Sequence, residues 1–291
     1  MASQFVFDAI GTHWVIDIYN ELTKEKENIL LVEINNRIKN FDQTYSRFRD
    51  DSLVTVMSKK IGKYPLPDDA PIMFNFYRKL YDITKGLVTP LIGQVLVDAG
   101  YDAEYSLEQK KTLESPLTWD EVMVYEHPYL DIQIPVLLDF GAAGKGYLID
   151  LVSQVLEQKN IDSFCIDAGG DMLYKNKDNK PLSVGLEHPD DTSKVIGIVS
   201  ITNQSLCGSA GNRRVWKNFH HIINPQTLLS PKNILAIWTI AESTIIADGL
   251  TTALFFTSPE ILVPHFNFKY FILYADYSFK KSSDFKTEIF C

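Results

Sequence analysis

The segment Ala247-Asp248-Gly249-Leu250-Thr251-Thr252-Ala253 lies in a stretch, about 243–256, that the sequence predicts to be a helix. Strand-like runs precede and follow this stretch at 234–240 and 270–274. Along the whole chain, strands come in runs and do not alternate strictly with helices. This order predicts an α+β fold with a mainly antiparallel sheet.

Asp248 and Thr252 are four residues apart, so a helix places both side chains on one face. A carboxylate and a hydroxyl, completed by a backbone carbonyl and by ligand phosphates, provide the hard oxygen ligands that Mg²⁺ prefers. The alternative is a hydrogen-bonded pair on the surface. The segment is therefore a candidate magnesium site.

A second segment, Asp139-Phe140-Gly141-Ala142-Ala143-Gly144-Lys145-Gly146-Tyr147, leads into a predicted helix over 147–158. Free backbone amides at a helix N-terminus attract phosphate. The segment is not a P-loop, because G-x-x-x-x-G-K-[ST] requires Gly at Asp139 and Ser or Thr at Gly146. Two interpretations remain open: a phosphate-binding loop, and a glycine-rich turn with a solvated lysine.

The third segment is His220-His221-Ile222-Ile223-Asn224-Pro225. A histidine near a strand end can act as a base or contact phosphate. Neighbouring strand residues point to opposite faces, so we expect only one of the two histidines to face a site. A structural or exposed pair is the alternative. Two glycine-containing turns, at 167–171 and 208–212, would let the backbone approach a ligand closely.

The remaining elements follow from hydrophobic spacing and from turn residues. The whole of 1–291 is predicted to be a single domain, with a candidate subdomain insertion around 100–136. The opening residues predict a hairpin around Gly11-Thr12. Helices are predicted over 22–41, 71–84 and 90–99, and further strands near 119–125, 130–138, 163–166, 182–186 and 195–201.

The composition excludes several classes of protein. A formal net charge of −9 argues against nucleic-acid binding, which depends on clustered Lys and Arg. Cys165, Cys207 and Cys291 include no C-x-x-C pair, so neither a zinc site nor a disulfide framework is expected. Met1–Phe7 lacks a signal-peptide pattern, and no run of about 18 apolar residues occurs. The sequence thus predicts a cytoplasmic protein without a membrane span.

Taken in order, the segments resemble the FAD:protein FMN transferase family, the ApbE-like flavin transferases. The similarity extends over nearly the whole chain, and the ordered set is specific although each stretch alone is common. The stretches that carry it are Ala9-Ile10-Gly11-Thr12, Tyr45-Ser46-Arg47-Phe48 through Asp51-Ser52, Gly86 to Gly93, Gly144-Lys145-Gly146, Gly169-Gly170, His221-Ile222-Ile223-Asn224-Pro225 and Ala247 to Ala253.

The resemblance implies a T-fold-like architecture with FAD bound in a cleft. It implies Mg²⁺-dependent transfer of FMN from FAD to a Thr or Ser hydroxyl of an acceptor protein, with release of AMP. Carried over by position, Ala142, Asp248 and Thr252 would bind the metal, and His221 would be the catalytic histidine. The residues expected to contact FAD are Ile10, Leu87, Val88, Thr89, Lys145 and Ser209.

This sequence departs from the family pattern at several positions. Val88-Thr89-Pro90 stands where many members have Phe-Asp-Pro, so a hydroxyl replaces a carboxylate in the flavin-contacting loop. Ile10 replaces a methionine, Ser209 opens a Ser-Ala-Gly turn where Thr-Ser-Gly is usual, and Asn224 replaces an aspartate. Two alternative functions remain: an Mg²⁺-dependent FAD pyrophosphatase that yields FMN and AMP, and a non-catalytic FAD-binding protein.

Overall fold

The computed structural model describes residues 3–110 and 112–290 of the chain. Its helices are short except for three that run for three turns or more. The helices of the described residues are α1 (Lys24–Tyr45), α2 (Leu53–Met57), α3 (Ala70–Ile83), α4 (Gly93–Ala99), α5 (Trp119–Val122), α6 (Gly144–Gln158), α7 (Thr244–Ala253) and α8 (Pro259–Leu262). A 3-10 turn at Pro90–Ile92 leads directly into α4.

The strands of the described residues divide among several sheets. In chain order they are β1 (Ser3–Ala9), β2 (Thr12–Ile18), β3 (Gly62–Pro65), β4 (Met123–Glu126), β5 (Tyr129–Ile132), β6 (Phe164–Ala168), β7 (Asp171–Lys175), β8 (Leu182–His188), β9 (Asp191–Ile201), β10 (Gln204–Ala210), β11 (Val215–Trp216), β12 (Phe219–His220), β13 (Ile234–Ala241), β14 (Lys269–Tyr274), β15 (Phe279–Lys281) and β16 (Thr287–Ile289).

Eight strands form the main sheet, in the order β1-β2-β6-β7-β10-β13-β14-β15. Two smaller sheets have the orders β16-β9-β8 and β3-β5-β4, and β11 and β12 form a short ribbon. Every strand pairing among the described residues is antiparallel. The predicted α+β class with a mainly antiparallel sheet is therefore confirmed.

The main sheet is buried on both faces. Successive residues of a strand point to opposite faces of the sheet, so chain neighbours belong to different cores. Ile166 and Cys207 belong to the larger core, which helices α1, α3, α6 and α7 complete. Their chain neighbours Cys165 and Leu206 belong to a second core, which β8, β9 and β16 cover. The main sheet thus lies between a helical layer and a small sheet.

The prediction of a strand near 119–125 is wrong at its start. Trp119–Val122 is the short helix α5, and β4 begins only at Met123. Thr118 and Glu121 form a capping box, in which the Thr118 backbone N–H donates to the Glu121 carboxylate at 2.9 Å. This local capping outweighs the strand preference of Trp119.

Two other boundaries differ from the sequence predictions. The strand predicted over 130–138 ends at Ile132, before Pro135, which has no N–H to donate to a ladder. Gly208, predicted to lie in a turn, is in the middle of β10. A side chain there would approach the Trp238 indole to 3.0 Å, so the glycine serves packing between strands.

The structure also places the remaining expectations from sequence. The segment around 100–136 contributes β4 and β5, and β5 pairs with both β3 and β4 in a separate three-stranded sheet. Cys165 and Cys207 are buried free thiols, and Cys291 lies outside the described residues. Among residues 3–110 and 112–290, no helix is long and apolar enough to cross a membrane.

The packing of α6 against α7 positions the predicted site. The side chain of Asp150 in α6 accepts the backbone N–H groups of Thr244 and Ile245 at 2.8 and 2.9 Å, and so caps the first turn of α7. At the other end of the contact, the Gly146 N–H donates to Asp248 Oδ2 at 2.8 Å. These bonds fix α7 relative to the start of α6.

The close approach of α6 to α7 requires a glycine at position 146. A Cβ at Gly146 would lie 2.7 Å from Asp248 Cβ, whereas one at Gly144 would meet only Phe140 and Phe41 at 3.4 and 3.6 Å. We expect Gly146→Ala to lower the free energy of unfolding by about 2 kcal/mol, because the two helices must separate. Gly144→Ala, in the same turn, should change it by less than about 0.5 kcal/mol. Urea unfolding of both variants measures the difference, and equal stabilities would contradict this explanation.

Candidate functional site

One cleft of about 1030 Å³ is lined by all ten predicted site residues. Segments far apart in the chain reach it, from the β1–β2 turn to α7. The predicted site residues that line it are Ile10, Leu87, Val88, Thr89, Ala142, Lys145, Ser209, His221, Asp248 and Thr252. The structure therefore brings all ten together in one cleft.

The three predicted metal ligands meet at the junction of α6 and α7. Thr252 Oγ1 lies 3.5 Å from the carbonyl oxygen of Ala142, across 110 residues of sequence. Asp248, one turn before Thr252 on the same helix, is buried and lines the same cleft. The carboxylate, hydroxyl and carbonyl oxygens are hard donors of the type that Mg²⁺ prefers. The donor set thus fits a magnesium ion.

This donor set differs from a site made only of acidic or imidazole side chains. Within residues 3–110 and 112–290, no group of three or more His, Cys, Asp or Glu side chains is arranged to hold a metal. A cation bound by Asp248, Thr252 and the Ala142 carbonyl would need further oxygen ligands. Ligand phosphates or water supply these in many magnesium sites.

Asp248 and Asp171 form a buried acidic pair at the cleft. Burial and the neighbouring Asp171 raise the pKa of Asp248 well above its usual value. Lys145 forms an ion pair with Asp171 and donates to the Ala168 carbonyl at 3.3 Å. Burial opposes the charge on Lys145, but the carboxylates of Asp171 and Asp248 outweigh it and raise the pKa of Lys145. Two carboxyl groups thus lie near one ammonium, and a bound cation would favour the ionised form of Asp248.

The two histidines have different surroundings, as the alternation argument predicts. His220 Nε2 donates to the Pro231 carbonyl at 2.8 Å, and its Nδ1 accepts the Ile222 N–H at 3.3 Å, so both ring nitrogens are engaged in the fold. His221 lines the cleft, and its Nδ1 is buried without a hydrogen-bond partner. Burial, with the positive charges of Arg214 and Lys145, lowers the pKa of His221 to about 3. The ring is therefore neutral near pH 7.

Two of the predicted FAD-contacting side chains, Thr89 and Ser209, use their hydroxyl groups in hydrogen bonds within the protein. Thr89 Oγ1 accepts the Leu91 N–H at 3.2 Å and caps the 3-10 turn, a role that the aspartate of the family pattern would also fulfil. Thr251 donates to the Asp248 carbonyl, so the Ser209 hydroxyl must donate to Thr251 Oγ1 at 2.8 Å. The hydroxyl oxygens of Thr89 and Ser209, which both line the cleft, can each still accept a hydrogen bond from a ligand.

Ile10 has a backbone conformation that favours glycine. It occupies a two-residue turn between β1 and β2, with φ of 47° at Ile10 and 73° at Gly11. Positive φ is rare for a β-branched residue and costs of order 1–3 kcal/mol. Strain of this kind clusters at ligand sites, and Ile10 lines the cleft.

Sequence reasoning missed two residues that hold the site in place. Arg47, quoted only as part of a motif, is buried and donates from Nε to Asp139 Oδ2 at 2.5 Å and from Nη1 to the Tyr101 carbonyl at 2.8 Å. Asp139 Oδ1 in turn accepts the Gly141 N–H at 2.8 Å, next to the Ala142 carbonyl. Asp171 was the other omission. The available signal was a charge directly beside a small-residue loop.

Comparison with known proteins places these features in a family. A sequence model of the ApbE family matches residues 10–265. A FAD:protein FMN transferase of Haemophilus influenzae is 27% identical over 258 residues, which are 81% of this chain and 72% of that protein. A FAD:protein FMN transferase of Treponema pallidum is 24% identical over 275 residues, which are 84% of this chain and 76% of that protein.

Solved structures share the fold. The ApbE protein of Thermotoga maritima has a TM-score of 0.83 at 19% identity and covers 98% of both chains. The apo form of the Pseudomonas stutzeri flavinyl transferase ApbE has a TM-score of 0.78 at 19% identity, covering 97% of this chain and 96% of that one. These likenesses confirm the fold class predicted from the sequence.

The depressed pKa of His221 predicts a measurable pH dependence of stability. The unfolded chain binds a proton on this histidine below about pH 6.5, whereas the folded chain does so only near pH 3. The stability contribution is complete above pH 6.5 and is lost as the pH falls, at roughly 1.4 kcal/mol per pH unit. Between pH 7.5 and 5.5, the wild type should therefore lose about 1 kcal/mol more unfolding free energy than His221→Gln. Parallel pH profiles for the two proteins would contradict the assignment.

Proposed function

The chain belongs to the ApbE family, and on that premise we propose that it transfers FMN from FAD to a Thr or Ser hydroxyl of an acceptor protein, releasing AMP. The observation that carries the proposal is the meeting of Asp248, Thr252 and the Ala142 carbonyl in one cleft with the unpartnered Nδ1 of His221. A binding protein would not need such a set of oxygen donors.

The reaction is a phosphoryl transfer. The acceptor hydroxyl oxygen forms a bond to the FMN phosphorus of FAD, the bond from that phosphorus to the bridging diphosphate oxygen breaks, and AMP leaves with that oxygen. Mg²⁺ bound by Asp248, Thr252 and the Ala142 carbonyl would neutralise charge on the phosphoryl oxygens. The chain itself must supply binding, orientation and a place for the hydroxyl proton.

His221 is the group suited to receive that proton. Its ring is neutral near pH 7, and the buried Nδ1 has no partner in the fold. A pKa of about 3 by itself makes the ring a weak base, since efficient bases have a pKa near the working pH. The negative charge of a bound diphosphate would raise this pKa. Orientation of a phosphate oxygen by the same ring is the alternative role.

The dimensions of the cleft suit a dinucleotide. Its volume of about 1030 Å³ is at the upper end of the range typical of small-molecule sites. Ile10, Leu87 and Val88 give one part of the lining an apolar character, and Lys145 lies at the start of α6 beside the acidic pair. We assign the apolar part to the flavin ring and the α6 end to the diphosphate.

Hydrolysis is the second candidate, because water in place of the acceptor hydroxyl would give FMN and AMP from the same site. Incubation with FAD and Mg²⁺, with and without a peptide that contains the acceptor pattern of Asp, small residues and Thr, separates the functions. Covalent flavin on the peptide supports transfer, AMP without peptide supports hydrolysis, and unchanged bound FAD indicates a binding protein.

The metal proposal makes a prediction at Thr252. Thr252→Val keeps the side-chain shape but removes the hydroxyl, and Thr252→Ser keeps the hydroxyl. We expect Thr252→Val to raise the Mg²⁺ concentration for half-maximal flavin transfer by about tenfold, equivalent to roughly 1.4 kcal/mol of cation binding. Thr252→Ser should stay within about threefold of wild type.

Two controls accompany this measurement. Thermal unfolding must show that both Thr252 variants retain the wild-type fold, since Thr252 touches the Ala142 carbonyl. Asp248→Asn should abolish transfer at every Mg²⁺ concentration tested. Equal Mg²⁺ dependence of Thr252→Val and wild type, or normal transfer by Asp248→Asn, would refute the metal assignment.

A further inference from the structure

One strand edge of the molecule opens into the cleft. β8 is the last strand of the order β16-β9-β8, so only one of its edges is paired, with β9. On the other edge, no backbone hydrogen bond from Leu182–His188 to any other described residue occurs. Residues Leu182 to Gly185 and Glu187 line the cleft. No other edge strand of the described sheets contributes lining residues.

The first five residues of this edge lack the usual protection against pairing. Leu182-Ser183-Val184-Gly185-Leu186 contains neither charge nor proline, and the acidic residue of β8, Glu187, is paired with Arg213. The edge strand β15 includes Lys280 and Lys281, and β16 includes Glu288, as expected for edges that avoid other chains. Gly185 is exposed, and its missing side chain makes room for Val195 of β9, because a Cβ there would lie 2.7 Å from Val195 Cγ1. The β8 edge is thus open to strand addition.

An arginine without a carboxylate partner lies at the same end of the cleft. Arg213 Nη2 pairs with Glu187 of β8 at 2.6 Å. Arg214 also lines the cleft, yet no carboxylate of residues 3–110 or 112–290 forms an ion pair with it. Its guanidinium lies 5.9 Å from the Tyr101 ring and contributes to the low pKa of His221. In a chain of net charge −9, this exposed cation is available to an acidic partner.

We propose that the acceptor protein docks as an extended segment along the free edge of β8, with an acidic side chain paired to Arg214. This proposal rests on the proposed flavin transfer. Strand addition supplies affinity through backbone hydrogen bonds and leaves alternate side chains free for recognition. Side chains of an added strand point alternately to its two faces, so the acceptor hydroxyl can face the cleft while its neighbours do not. The occupant is thus a flexible, acidic stretch of polypeptide.

Hydrogen exchange tests the docking separately from the chemistry. The wild type, loaded with FAD and Mg²⁺, is mixed with a saturating synthetic peptide that contains one aspartate and has valine in place of the acceptor threonine, so that docking occurs without transfer. Exchange of the unpaired amides in Leu182–Leu186 should slow by at least about tenfold, as expected for new backbone hydrogen bonds. The edge strand β15 serves as the control and should not change. Equal slowing by FAD alone would assign the edge to FAD and overturn the proposal.

The remaining outcomes distinguish docking from transfer. Protection of β8 without flavin transfer by the wild type would support docking and overturn the proposed function. Flavin transfer to the threonine peptide with β8 unprotected would support the proposed function and overturn docking on β8. Absence of both would overturn both.

A double-mutant cycle measured by kinetics tests the role of Arg214. Arg214→Gln should raise the KM for the peptide about tenfold, with a smaller effect on the KM for FAD. An Asp→Asn peptide should impair the wild type similarly, and combining the two changes should add little further loss. Arg213→Gln is the matched control and should change the KM for the peptide by less than about twofold. Additive losses, or an effect of Arg214→Gln mainly on the KM for FAD, would contradict the role given to Arg214.

Discussion

The close contact between the start of α6 and the length of α7 is the constraint on which the site depends. Asp150 caps α7 from α6, and the Gly146 N–H binds Asp248. A side chain larger than hydrogen at Gly146 would force the helices apart. Because the Ala142 carbonyl precedes α6 and Thr252 lies on α7, this one contact sets the distance between the oxygen donors.

The same contact concentrates negative charge where it is costly. Asp171 and Asp248 lie together in a buried region with Lys145 as a counter-charge, and burial with the neighbouring Asp171 raises the pKa of Asp248. Such an arrangement contributes little to stability, since buried charges lose hydration. A divalent cation would compensate the acidic pair and attract the phosphates of a nucleotide. The charges that line the cleft thus agree with a site that binds a cation together with a nucleotide.

Periodic and local signals made much of this predictable from the sequence. The spacing of Asp248 and Thr252 placed both on one helix face, and strands arranged in runs gave the antiparallel class. The ordered motifs identified ten candidate site residues, and the fold places all ten along one cleft. What the sequence could not show were partnerships between distant residues, such as the cap that Asp150 provides and the Arg47–Asp139 ion pair. Those depend on tertiary packing, as does the burial that lowers the pKa of His221.

The most direct test of the metal site is a crystal structure of the chain with FAD and Mn²⁺, in which anomalous scattering locates the metal. We expect one metal peak in contact with the Asp248 carboxylate, the Thr252 hydroxyl and the Ala142 carbonyl, at about 2.0–2.4 Å, and in contact with the FAD diphosphate. A metal peak elsewhere in the cleft, or a diphosphate bound away from these three oxygens, would contradict this assignment.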